Sequence, residues 1–157
     1  MQELLKRKKG IRRKVLIVDD EYIEREILGA MLSDCYEVIY AADGAAALDI
    51  IRQEKYYLSL VLLDLHMPVL DGYSVLKVMH SDQELKHIPV IVLTSEKEAE
   101  VSSLQLGASD FISKPYEAPD VIRARVQHSI ELAEDRIIIH ETERDELTGL
   151  FNKQFFF

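Results

Sequence analysis

Leu60-Val61-Leu62-Leu63-Asp64 is an unbroken apolar run of strand length that ends on a carboxylate, and the rest of the chain repeats its plan. Short continuous runs of this kind predict buried strands. Upstream, Val15-Leu16-Ile17-Val18 stops at Asp19-Asp20-Glu21, and residues 36–40 read as a second strand. Downstream, residues 88–93 stop at Thr94, and Phe111-Ile112 lie just before Lys114-Pro115. Helical periods fill the gaps: Ile23, Ile27, Leu28 and Met31, then Ala47, Leu48 and Ile51. Gly72, Val75, Leu76 and Met79 mark a third helix, and Val101, Leu104 and Ala108 a fourth face. Beyond Pro119 the chain is compatible with one long helix.

Strands alternating with helices predict an α/β protein: a doubly wound, five-stranded parallel sheet with an extended C-terminal helix. Continuous apolar strands fit a sheet covered on both faces. Ligands of such sheets bind beyond the carboxyl ends of the strands. Asp19, Asp20 and Glu21 follow the first strand there, Asp64 the third, Thr94 the fourth and Lys114 the fifth.

That set has the parts that phosphoryl transfer to a carboxylate requires. Asp64 supplies an acceptor oxygen. Asp20 and Asp64, with Asp19 through water, suit Mg2+, a hard cation that keeps several waters. Lys114 offers a fixed positive charge, and the Thr94 hydroxyl can donate to a phosphoryl oxygen. Singly, each residue has a plainer reading: the acids and Thr94 as helix caps, Asp64 as a loop start, Lys114 as a surface lysine. Their convergence from four segments on one sheet edge favours the site.

The 157 residues suffice for one core but not for two ordinary domains. No apolar run approaches the roughly 20 residues needed to span a bilayer, and the opening lacks a secretory pattern. The single cysteine, Cys35, fits a cytoplasmic location and reads as packed or tolerated rather than catalytic. Net charge is −9, yet the first fourteen residues carry seven basic groups against Glu3 alone. The body is therefore acidic, which argues against nucleic-acid binding through it. Residues 1–13 read as a solvated, disordered basic leader, with contact to a membrane, RNA or an acidic partner as the alternative. The histidines lack metal-ligand spacing.

KVLIVDDE (14–21), LVLLDLHMPVLDG (60–72), IPVIVLTS (88–95) and GASDFISKP (107–115) resemble the motif blocks of response-regulator receiver domains, over about residues 14–134. The resemblance implies a flavodoxin-like fold with strand order 2-1-3-4-5. It implies Asp64 as phosphorylation site, Asp19 and Asp20 as the acidic pair, and the His66 backbone carbonyl as a further Mg2+ ligand. Thr94 and Lys114 would flank the phosphoryl group, Phe111 would be the aromatic switch, and the Lys114-Pro115 bond would be cis. Two departures stand out. Thr94 to Gly107 is about two residues shorter than is usual in the family, which implies a trimmed loop and fourth helix. Phe111 also lacks the hydroxyl of the commoner tyrosine.

Val126, Ile130, Ala133, Ile137, His140, Arg144 and Leu147 alternate steps of four and three, a heptad seam weakened by its polar members. Residues 135–147 thus read as a coiled-coil linker, the alternative being a helix folded back on its own domain. RDELTGLFNKQFF (144–156) resembles the opening of a GGDEF domain, the diguanylate cyclase fold. That implies a truncated output domain over 148–157, with Asn152 at a guanine-contacting position of the longer protein.

The function expected is a phosphoacceptor served by a sensor histidine kinase or phosphotransfer protein. It would control dimerisation, through the last helices and the face of the fourth helix, fifth strand and fifth helix, and thereby a cyclase absent from this chain. Two other classes compete. A phosphorylation-independent dimerisation scaffold would not need the intact site. A hydrolase working through an aspartyl-phosphate would place a second acid where His66 stands.

Overall fold

The alternating placement of strand side chains divides the apolar residues between two faces of one sheet. The computed structural model describes the backbone of residues 12–152 and the side chains of residues 12–136 other than Glu98. The strands are β1 (Lys14–Val18), β2 (Glu37–Ala41), β3 (Leu58–Asp64), β4 (Val90–Thr94) and β5 (Asp110–Ser113). All pairings are parallel, and the order is β2-β1-β3-β4-β5. The helices are α1 (Tyr22–Leu32), α2 (Gly44–Gln53), α3 (Gly72–Ser81), α4 (Lys97–Gln105) and α5 (Pro119–Asn152).

Leu16, Val18, Val61, Leu63 and Val92 point to one side and pack with α2 and α3. Val15, Ile17, Leu60, Leu62, Ile91 and Leu93 point to the other and pack with α1 and α5. Burying strands on both faces explains their continuous apolar sequences. Two helices are punctuated where sequence chemistry demands it. Asp43 caps α2 by accepting from the Ala46 N–H at 2.8 Å, and Asp71 caps α3 through the Ser74 N–H at 2.9 Å. Pro119 opens α5, where a missing N–H costs nothing.

Three expected faces need correction. On α1, Ile23 and Ile27 are exposed and the buried residues are Leu28, Gly29 and Leu32. The inward position one turn earlier belongs to Arg25, whose guanidinium donates to the Asp19 carbonyl at 2.7 Å. On α4, Val101 and Leu104 face outward, while Ala99 and Ser103 are buried. Ser103 tolerates burial because its hydroxyl donates to the Glu100 carbonyl at 3.0 Å. Ala108 is buried too, but lies beyond the helix.

The third correction concerns the seam of α5. Val126 and Ile130 pack into the domain's own core beneath β3 and β4, so the first part of the heptad pattern is an intradomain stripe. The side chains of Ile137, His140, Arg144, Leu147 and Asn152 lie outside the described residues, as does the leader through Ile11. The end of the leader touches the body. The Arg12 guanidinium donates to the Ser33 carbonyl, and Arg13 holds the buried Glu134 of α5 with two hydrogen bonds of 3.0 and 2.8 Å. Cys35 is exposed. Among the described residues, no helix is long and apolar enough to cross a membrane.

Candidate functional site

The chain leaves β1 for β2 on one side, then returns to place β3 on the other. This reversal opens a crevice at the carboxyl ends of β1 and β3. Asp19 follows β1 directly, and Asp64 is the last residue of β3. Both are buried, Asp19 fully and Asp64 at 6% exposure. The Lys114 ammonium, arriving from the end of β5, lies 3.3 Å from Asp19 Oδ2 and 3.5 Å from Asp64 Oδ1. Thus two buried carboxylates share one ammonium.

The electrostatics follow from that ratio. Burial, and then the charge of Asp19, push the Asp64 carboxyl up from 3.8 to about 6, against the opposing pull of Lys114. Burial alone would lower the Lys114 ammonium, but Asp64 and Asp19 outweigh it and hold the group above its ordinary value. Burial likewise raises the Tyr116 phenol, with the charge of Glu24 second. The site carries surplus negative charge.

Asp19, Asp20 and Glu21 bring carboxylate oxygens within 4.8 Å of one another. Asp20 and Glu21 are exposed, so the cluster opens to solvent. Asp19 is not a cap of α1; its Oδ1 accepts from the Glu21 N–H at 2.9 Å, and Glu21 makes no side-chain cap. An all-oxygen donor set with excess charge fits a hard divalent ion better than a soft one. Receiver domains bind Mg2+ at such an acidic cluster.

Thr94, at the end of β4, is buried, and its Oγ1 accepts from the Glu96 N–H at 3.0 Å. Its carbonyl accepts from the Lys114 N–H at 2.9 Å, tying the ends of β4 and β5 together. Phe111 sits half-buried on β5 opposite Val92. The Lys114-Pro115 peptide is cis. The His66 N–H lies 3.4 Å from Asp64 Oδ1.

Sequence reasoning missed Glu96, Arg25 and Glu100, and the part played by the His66 side chain. His66 Nε2 and Glu96 Oε1 meet at 3.2 Å across the mouth of the site, both side chains largely exposed. Each stands two residues beyond a strand-end residue of adjacent strands, Asp64 and Thr94, and that equal offset was the available signal. Arg25 binds the backbone behind Asp19. Glu100 of α4 accepts from the Ser113 hydroxyl at 2.8 Å, one residue before Lys114.

A family model described as the response regulator receiver domain matches residues 15–127. The chain belongs to that family: it is a receiver domain of a two-component response regulator, with the flavodoxin-like fold. A transcriptional regulator of Porphyridium aerugineum, "Probable transcriptional regulator ycf27", is 42% identical over 117 residues, which cover 73% of this chain and 46% of that protein. A Vibrio cholerae protein, "Probable cyclic di-GMP phosphodiesterase", is 36% identical over 119 residues, 74% of this chain and 26% of that protein. The crystal structure of the chemotaxis response regulator CheY4 of Vibrio cholerae superposes with a TM-score of 0.69 at 30% identity, covering 76% of this chain and 99% of that one. The chain spans about half the length of the first curated relatives it matches.

Proposed function

We propose that this receiver accepts a phosphoryl group on Asp64 from a sensor histidine kinase or phosphotransfer protein. One observation carries the reading: Lys114 lies between the buried Asp19 and Asp64 carboxylates at the β1/β3 crevice. At neutral pH Asp64 is ionised, and one of its oxygens attacks phosphorus while the bond to the donor nitrogen breaks. Asp19, Asp20, Asp64 and the His66 carbonyl would hold Mg2+, which supplies charge neutralisation for the transferred group. Lys114 pairs with the new phosphoryl oxygens, and Thr94 gives up its turn with Glu96 to donate to one of them. Phe111 then moves with Thr94 as a purely steric partner.

The phosphorylated form is proposed to associate through the face of α4, β5 and α5, where α4 presents Val101 and Leu104 outward. The output is proposed to be a diguanylate cyclase, a reading that rests on residues 144–156 alone, with Asn152 facing guanine in the longer protein. A transcriptional output is the second reading, favoured by the named activity of the first relatives. Cyclic di-GMP synthesis from GTP by the longer protein would support the first, and sequence-specific DNA binding the second.

Acetyl phosphate with Mg2+, read by intact mass, tests the acceptor. The expected result is one phosphoryl group, absent from Asp64→Asn and absent in EDTA, with light scattering moving toward a dimer. Phosphate on another residue would overturn the assignment. A dimer that forms without phosphorylation would favour the scaffold.

A further inference from the structure

At the opposite end of the sheet from Asp64, a cleft of about 510 Å3 opens between the end of α3, the segments entering β4 and β5, and α5. Its volume lies within the range of small-molecule sites. The chain beyond Lys14 is strongly acidic, yet the cleft is lined by Lys86, Arg136 and three histidines, His80, His87 and His128. Asp110 is the one carboxylate among its described lining residues. Arg125 holds that group at 3.1 Å, and the Phe111 N–H donates to it at 2.8 Å. The lining is therefore net positive. Imidazoles add to it as N–H donors in either protonation state.

The wall is built for close approach. Gly107 has φ +108°, and a Cβ there would stand 2.4 Å from His80 Nδ1. Only glycine lets the His80 ring lie against the backbone at that point. Ile88, Pro89 and Leu132 give the cleft an apolar floor beside the cationic groups. Ser129, Leu132, Ala133 and Arg136 recur along one side of α5, so whatever fills the cleft touches the helix near where it leaves the domain.

We propose that this cleft binds a small phosphorylated molecule of mononucleotide size, and that its occupancy braces α5 against the body of the domain. The phosphate would sit among Lys86, Arg136 and His128, and a planar body on the apolar floor. Guanidinium and ammonium groups together with imidazole N–H donors suit a phosphate dianion. The site is remote from Asp64 and independent of its chemistry.

The test is an amide-resolved NMR titration of the whole chain in EDTA with AMP, inorganic phosphate, adenosine and a short polyglutamate peptide. AMP is expected to produce saturable shifts at Gly107, Ser109 and Ser129, phosphate weaker ones at the same residues, and adenosine none. The double variant Lys86→Ala/Arg136→Ala removes two exposed side chains and should weaken AMP at least about tenfold, as loss of two charge-assisted hydrogen bonds implies. Its phosphorylation by acetyl phosphate should be unchanged, which shows that it is folded. Shifts clustered around Asp19 and Lys114, tighter binding of polyglutamate than of AMP, equal binding of adenosine, or an unaffected double variant would each overturn the proposal.

Discussion

Replacing Asp64 by asparagine should make the metal-free domain more stable, although it removes a member of an ion pair. The folded protein raises this carboxyl from 3.8 to about 6, roughly two powers of ten in proton affinity, so ionisation at neutral pH opposes folding by up to about 3 kcal/mol. Asparagine keeps the shape and an oxygen that can face the His66 N–H, and Lys114 retains Asp19 at 3.3 Å. Some of the gain is offset because Lys114 loses one of its two partners. A net stabilisation of about 1–2 kcal/mol remains, which for a domain of this size raises Tm by about 4–8 °C.

The pH dependence supplies the control. A carboxyl whose folded value is raised contributes stability that is fully present below its unfolded value of 3.8 and is lost as pH rises through about 6. In EDTA, the advantage of Asp64→Asn should be full at pH 7.5 and nearly gone by about pH 3, where the wild-type carboxyl is protonated in both states. With Mg2+ at ten times its dissociation constant, wild type should recover about 1.4 kcal/mol, more than the variant, which lacks one ligand. Thermal melts followed by circular dichroism measure all three arms. An Asp64→Asn protein that melts at or below wild type in EDTA at pH 7.5, or whose advantage does not change with pH, would refute the electrostatic account.

Val69 is 83% exposed and has φ +70°, with the Leu70 N–H donating to the Pro68 carbonyl at 2.8 Å, a strained three-residue turn for a β-branched side chain. Val69→Asn or Val69→Gly should therefore stabilise the domain by about 1 kcal/mol in urea melts. A Cβ on Gly72 would stand 2.2 Å from the Asp64 carbonyl oxygen and 2.7 Å from Leu65 Cα. Both obstacles are backbone, so Gly72→Ala should cost about 1–3 kcal/mol and slow phosphorylation by displacing the proposed acceptor. Gly29→Ala meets only the end of the Tyr40 side chain, which can swing toward solvent, so its urea midpoint should move far less. Arg13→Ala strands the buried Glu134, and a loss of about 1–3 kcal/mol is expected in the same melts.

The sheet and the site were readable for one reason: the strands are buried on both faces and their first polar residues fall at the functional edge. Asp19, Asp64 and Thr94 are the first polar residues after each apolar run, although they are themselves buried. The inner helix faces were readable only where they are conventionally apolar, as in α2 and α3. On α1 the inward row passes through Arg25, which reaches up to the Asp19 backbone, so a reading of apolar residues alone drifted to Ile23 and Ile27. On α4 the inward row is Ala99 and Ser103, too small and too polar to register, while its large apolar residues face out. On α5 a stripe every three or four residues serves an intradomain core as well as a coiled coil, and Glu134 owes its burial to Arg13, more than a hundred residues distant. The cationic cleft joins four segments, and no local pattern announces such a meeting.

The weak inward row of α4 bears on how the site could signal. Glu96 is the N-cap residue of that helix and supplies no side-chain cap of its own. Its N–H is held by the Thr94 hydroxyl at 3.0 Å, the group proposed to turn toward the phosphoryl oxygens. Downstream, Glu100 anchors α4 to Ser113, the neighbour of Lys114, at 2.8 Å. So the helix with the smallest buried side chains among the described residues is tethered at both points to residues adjoining the proposed phosphoryl site. A hydroxyl that leaves Glu96 for the phosphoryl group frees the start of α4 at a cost of about one hydrogen bond, and among the described residues of the helix only Ala99 and Ser103 resist its movement through burial. By comparison, shifting α3 would drag Val75, Leu76 and Met79 out of the core, which costs several kcal/mol. On this energetic comparison α4 is the element that should respond first. Hydrogen exchange should detect it as faster exchange at residues 96–105 on phosphorylation, with α3 unchanged; equal change in both helices, or none in α4, would remove the Thr94–Glu96 bond from the relay.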